Sequence, residues 1–254
     1  MKIYMGRPKN NRVGEINYNN QGELMTIVEY NNSIDMIIKF DSTGILKKCA
    51  YKEFKSGHVH DNFYPSVCGV GYIGDTSITI GNKIIKHSYR TWSGMILRCY
   101  SDKYHDRYKS YADCSVCKEW HCYANFEKWY NENYYEVENE AMNLDKDILV
   151  KGNKLYSPDT CIFVPQTINA LFTKREQARG KYPIGVTRDK RYGKFAPQVQ
   201  GVKWLGYYNT PEEAFKVYKE NKEKRIKQIA EEYKDKIPDK LYDSLCNYKV
   251  DATD

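Results

Sequence analysis

The chain has 254 residues, with 40 Lys or Arg against 33 Asp or Glu and a formal net charge of +7. This length leaves room for more than one domain, and the basic excess is compatible with a polyanionic partner. No apolar run approaches a bilayer-spanning helix and MKIYMGRPKNNRVGE lacks a signal-peptide centre, so no membrane partner is expected, the expected location is cytoplasmic, and the eight cysteines should be mostly reduced.

The first module, residues 1–80, reads as β. Ile34, Met36, Ile38 and Phe40 alternate along one strand, and Glu23–Tyr30 pairs with it across Asn31-Asn32-Ser33. Turns at Asp41–Gly44, Lys55–Gly57 and Gly69–Gly74 suggest a small barrel or curled sheet. His58 and His60 share a strand face and are expected to meet solvent rather than a metal. Its stretch FYPSVCGVGYIGD resembles segments that precede nuclease-like domains in some phage proteins, and the module is otherwise left as the surface open to a protein partner.

Residues 88–173 change character. Tyr89, Trp92, Met95, Ile96 and Cys99 recur at helical spacing, as do Trp120, Phe126, Trp129 and Tyr130, and both sets are read as core. Near the start of the second set lies Cys114-Ser-Val-Cys117 with His121 and Cys122, ligand types and a spacing that zinc accepts, although only one such pair exists and small buried cysteines are the simpler reading. Then come a strand over Asn143–Val150, a turn at Lys151–Lys154, a strand over Tyr156–Val164, and a helix starting near Pro165 that includes Ile168, Leu171 and Phe172.

The stretch NLDKDILVKGNKLYSPDTCIFVPQTINALF, with the upstream patterns Trp92, Met95, Arg98, Cys99, Tyr100 and Glu119, Trp120, Phe126, Trp129, resembles the HNH, or ββα-metal, nuclease motif in a form common among phage proteins. That resemblance implies a DNA endonuclease with one Mg²⁺ or Mn²⁺ bridging the scissile phosphate. By position it implies Asp147 as first metal ligand or base, Asp145 as the one-place alternative, Asn153 as the loop-holding Asn, and Asn169 as the helix-borne ligand. The usual His is missing: after His121 the chain has none. An ordinary Asp, with a pKa near 4, is a weak base for water, so the base would be a metal-bound hydroxide, His87, His105, or Lys146 with a lowered pKa.

The last span, 174–254, opens on a basic linker containing Lys174, Arg175, Arg179 and Lys181. Three short runs follow, Ile184–Arg191, Lys194–Gln200 and Val202–Tyr208, separated by Tyr192-Gly193 and Gly201, which predicts an antiparallel meander. Thr210 caps a helix with Pro211 at its first position and Glu212 and Glu213 in its first turn. Ala214, Phe215 and Val217 begin its apolar stripe, Ile226, Ile229, Ala230 and Tyr233 continue it, and Pro238 interrupts it. One sheet face is left to Arg188, Arg191, Lys194, Gln198, Gln200 and Lys203, residue types that bond phosphates and base edges.

The motifs GV, GKF, KWLGYY and T-PEEAF resemble the plant ethylene-response-factor-type DNA-binding domain, whose three-stranded sheet lies in the major groove and which sits behind nuclease domains in phages and mobile elements. The resemblance implies contacts to double-stranded DNA from Arg188, Arg191, Tyr192, Gln198, Gln200, Lys203 and Trp204. The chain has one more residue between GV and GKF than the plant pattern, so positions within Thr187–Tyr192 correspond to within one place, and Trp204 is open to a core reading as well. The 24 tyrosines invite a base-stacking reading, but Lys, Asn, Ile and Tyr all have A/T-rich codons, which explains their abundance without it. The expectation is an α+β chain: a small β module, a ββα-metal domain with a helical lead-in, and a C-terminal three-stranded antiparallel sheet packed on a long helix. Its expected function is DNA cleavage in the manner of a phage homing endonuclease, in the cytoplasm of a bacterial host. The alternative is a catalytically inactive DNA-binding phage protein that regulates genes or inhibits a host defence system, its N-terminal module meeting a host or phage protein.

Overall fold

The computed structural model describes residues 11–81, 84–173 and 182–252. The chain forms two compact units, Met1–Tyr130 and Asn131–Asp254. The division falls inside the 88–173 span. Among the described residues no helix is long and apolar enough to cross a membrane.

The first unit opens with an antiparallel sheet in the order β1 (Ile16–Tyr18), β2 (Leu24–Asn32), β3 (Asp35–Phe40), β4 (Leu46–Cys49). Period-two alternation aims Met25 and Ile27 of β2 and Met36, Ile38 and Phe40 of β3 into one core, closed by Phe54 of α1 (Tyr51–Ser56), Cys49 and Val59. Ile34 departs from the expected alternation and is 78% exposed. The Asn32 side chain accepts its N–H at 3.0 Å, so Ile34 belongs to the turn rather than the strand. A short antiparallel pair, β5 (Thr79–Ile80) and β6 (Ile84–Ile85), precedes α2 (His87–Tyr100), which is followed by α3 (Asp102–Arg107) and β7 (Ser115–Val116).

The helical part of this unit is held by aromatics. Trp92, Met95 and Ile96 of α2 are fully buried, as are Trp120 and, on α4 (Tyr123–Asn133), Tyr123 and Phe126. The Trp92 indole donates to the Trp120 carbonyl at 2.7 Å, so the largest apolar body in the core also satisfies its polar edge. Beside it a polar network converges on Glu127, whose carboxylate accepts from Lys86 at 2.8 Å, Thr76 at 2.5 Å and Tyr123 at 2.8 Å. Burial raises the Glu127 carboxyl, but the bonds from Lys86, Thr76 and Tyr123 outweigh it and leave the group below its ordinary 4.5. A depressed carboxyl stabilises the fold above its unfolded pKa, and that contribution is lost as pH falls through the folded value. Glu127→Gln should therefore cost about 1.5–3 kcal/mol at pH 7. In thermal melts the gap to wild type should close as pH falls below 4.5.

In the second unit β8 (Met142–Asp145) pairs antiparallel with β10 (Ile162–Pro165), and α5 (Gln166–Leu171) follows directly and packs on both. The expected strand, loop, strand, helix order is met only coarsely: the first strand ends at Asp145, and the expected strand over Tyr156–Val164 is broken into β9 (Leu155–Tyr156) and β10, with a turn at 158–160 between them. Ile148, Ile162, Val164, Ile168 and Leu171 share a core with Ile226, Ile229 and Ala230 of the long helix Pro211–Tyr233 and with Leu241 and Leu245 of the terminal helix Asp239–Asn247. Pro238 lies between those helices as the N-cap of the second. Thr210 caps the long helix by accepting the Glu213 N–H at 3.2 Å, while the Glu213 carboxylate reaches back to the Thr210 N–H, a reciprocal capping box.

The expected meander is present in reduced form. β11 (Val186–Arg188) pairs antiparallel with β12 (Phe195–Pro197), and the third run contributes one bridge, Phe195 to Tyr208. Pro197 has no N–H to extend the ladder, and Gly201 and Gly206 take left-handed φ values of +76° and +99°, which bend the chain away from the strand direction.

Candidate functional site

All eight residues proposed to meet DNA, Arg188, Arg191, Tyr192, Lys194, Gln198, Gln200, Lys203 and Trp204, are exposed. Trp204 is 62% exposed, which removes it from the core. Strand pairing fixes Arg188 opposite Phe195, and its guanidinium stands 6.0 Å from the centre of that ring. The tip between β11 and β12 is held by Asp189, which accepts the Arg191 N–H at 2.8 Å and the Tyr207 hydroxyl at 2.5 Å. Those bonds, Tyr207 first, hold the Asp189 carboxyl below its usual range. Lys174, Arg175, Arg179 and Lys181 of the basic linker lie outside the described residues.

A groove of about 990 Å³ runs beside this face, lined among others by Gln166, Thr187, Gln198, Gln200 and Lys222. Lys222 donates to the Leu171 carbonyl at 2.6 Å, closing the end of α5, and burial pushes its ammonium pKa down. Sequence reasoning had no signal for Lys222, which is one of many lysines on a charged helix.

The carboxylate loop is the second candidate. Asp145 is the last residue of β8, opposite Ile162, and its Oδ1 accepts the N–H groups of Asp147 at 2.9 Å and Ile148 at 2.7 Å. Burial first, then the nearby Asp147 charge, pushes its carboxyl up to about 6 against those two bonds. Asp147 lies beyond the strand, in the loop, because the expected strand to Val150 ends at Asp145. The buried Lys146 places its ammonium 3.3 Å from the Asp147 carboxylate. Asn153 donates to the carbonyls of Lys146 at 2.7 Å and Leu155 at 2.6 Å, which ties the loop across its neck. Asn169 is half-buried on α5, and its main-chain carbonyl accepts the Phe172 N–H at 3.1 Å. Asp147 and Asn153 thus share one loop, Asp145 ends the strand that leads into it, and Asn169 comes from the helix packed on the two strands.

The N-terminus of that helix is occupied by Glu140, which accepts the Thr167 N–H at 3.1 Å, the Thr167 hydroxyl at 2.6 Å and the Tyr233 hydroxyl. This cap comes from a residue distant in sequence, and no local pattern announces it.

Among the described residues no group of three or more His, Cys, Asp or Glu is placed to hold a metal ion. The proposed zinc ligands are engaged separately. Cys114 points its thiol at the Ser110 carbonyl at 3.8 Å, Cys122 at the Ile73 carbonyl at 4.0 Å, and His121 Nε2 lies 3.2 Å from the Val116 carbonyl. Burial raises the Cys117 thiol, which disfavours the thiolate that zinc takes. Of the histidines considered as bases, His87 has Nδ1 2.7 Å from the Tyr130 hydroxyl, and His105 has Nε2 3.0 Å from the Arg98 carbonyl.

Comparison with protein-family models, curated proteins and solved structures gives no match.

Proposed function

We propose that the chain binds double-stranded DNA through its C-terminal meander and cuts it in the manner of a phage homing endonuclease with an HNH-like ββα loop. The observation that carries the DNA reading is the joint exposure of the eight proposed contact residues around a hairpin tip that Asp189 pins in place. Exposed Arg and Lys would neutralise phosphates and release counterions, while Arg188, Gln198 and Gln200 have the donor and acceptor geometry that reads base edges.

For cleavage, Asp147 and Asn169 would hold Mg²⁺ or Mn²⁺, since both are hard oxygen donors. The ion would supply charge stabilisation at the scissile phosphate. Asp145 then acts as a positioning group that shapes the loop carrying Asp147, and Asn153 closes the same loop. The expected outcome is nicking of plasmid DNA with Mg²⁺ or Mn²⁺ that falls to background in Asp147→Ala and Asn169→Ala.

A second reading, a DNA-binding protein that has lost cleavage, is favoured by Lys146. Its ammonium already lies 3.3 Å from Asp147 Oδ2, and a metal would have to compete with that positive charge for the carboxylate. Duplex binding that weakens with salt, without nicking in any divalent metal, selects this reading.

A further inference from the structure

Three aromatic side chains stand together on the basic tip, and only two of them belong to the proposed duplex contacts. Tyr192 is 64% exposed, Trp204 62% and Tyr207 37%. Their rings form one chain: Tyr192 and Tyr207 have centroids 5.2 Å apart, and Tyr207 and Trp204 are 4.8 Å apart in an edge-to-face arrangement. Leaving so much aromatic surface in water is unfavourable unless something covers it, since a fully buried aromatic side chain removes roughly 150–250 Å² from solvent.

The cluster is ordered before any partner arrives. The Tyr207 hydroxyl is tethered to Asp189, whose other oxygen accepts the Arg191 N–H, so ring and turn are fixed by one carboxylate. Exposed Arg188, Lys190, Arg191, Lys194 and Lys203 lie in the same hairpin and the segment that follows it. An apolar protein partner would have to desolvate those cations. A polynucleotide strand satisfies both features, phosphates to the cations and base faces to the rings.

We propose that Tyr192, Tyr207 and Trp204 form a stacking platform for unpaired DNA bases, with Asp189 as the residue that positions Tyr207. The protein then favours duplex interrupted by a bubble or gap over continuous duplex. This rests on the DNA reading above and names the DNA structure that the same face takes.

The test measures affinity, by fluorescence anisotropy, for a continuous duplex and for the same duplex carrying a short central bubble. Base stacking on an aromatic is worth about 1–3 kcal/mol per base, so the bubble should bind roughly 10-fold tighter or more. Trp204→Ala and Tyr207→Ala should bring the bubble-to-duplex ratio close to one, and Tyr207→Phe, which keeps the ring and loses the tether, should leave an intermediate ratio. Trp204→Phe, which keeps an aromatic face, should retain most of the preference, and unchanged circular dichroism confirms that each variant is folded. Equal wild-type affinity for the two DNAs overturns the platform and leaves the duplex reading standing, as does an equal loss on both DNAs in Trp204→Ala. Absence of binding to either DNA overturns the duplex reading as well. Trp204-dependent self-association in sedimentation, without a bubble preference, overturns the proposal in favour of a second copy of the chain as the occupant.

Discussion

Gly185→Ala should destabilise the C-terminal meander by about 3 kcal/mol or more, combining a left-handed backbone penalty with overpacking. Gly185 has φ +73°, and a Cβ there would lie 2.0 Å from Cε2 and 2.2 Å from Cδ2 of Tyr218. Tyr218 is 5% exposed, packed in a small core with Val199 and Val250, so its ring has little room to retreat. The Gly185 carbonyl also accepts the Gln198 N–H at 2.8 Å, so moving the glycine away from the ring pulls on β12. The substitution therefore lifts the start of β11 from the long helix. Amide exchange should report this at Val186, Phe195 and Gln198, whose N–H groups bond to Pro183, Tyr208 and Gly185. Gly193→Ala is the matched control: φ is +65°, but the nearest atom to its Cβ is the tip of the Arg188 side chain at 4.0 Å. It should show backbone strain alone, about 1–2 kcal/mol. Equal protection losses in the two variants would mean that contact with Tyr218 does not hold the strand.

What could be read from the sequence divides along the range of the interaction. Thr210-Pro211-Glu212-Glu213 announces a helix start because capping acts within one turn, and the structure forms the capping box. The stripe Ile226, Ile229, Ala230 was legible for the same reason of period, although its partners on α5 and the terminal helix were not. Strands were legible where both partners run on, as in Glu23–Tyr30 beside Met36–Phe40, and not where a ladder ends because its partner fails, as in Val202–Tyr208. Pro197 and the left-handed Gly201 and Gly206 stop the meander, and β8 stops at Asp145 before its hydrophobic pattern does. Composition could not place Trp204, because an apolar ring next to basic residues suits a core and an interface equally; exposure decides it. The Tyr207 tether to Asp189 and the Glu140 cap on Thr167 join residues far apart in the chain. Such pairs exist only once the fold has closed.

Arg188→Ala combined with Gln198→Ala should weaken binding to a selected duplex site by roughly 100-fold or more, because each base-reading contact is worth about 1–3 kcal/mol. Both side chains are exposed, one on β11 and one just past the end of β12, and neither Arg188 nor Gln198 belongs to the buried core of the unit. Lys203→Ala serves as the phosphate comparison. It should weaken selected and random duplexes alike and lower the slope of log K against log salt by about 0.9. If Arg188 and Gln198 read bases, their double variant should lose affinity for the selected site more than for random DNA. If they only meet phosphates, the double variant should weaken selected and random duplexes alike, with a salt slope made shallower by the loss of the Arg188 charge and no change in site preference. Unchanged affinity in the double variant, with the fold intact, would remove the meander from the interface and leave DNA binding without its principal support.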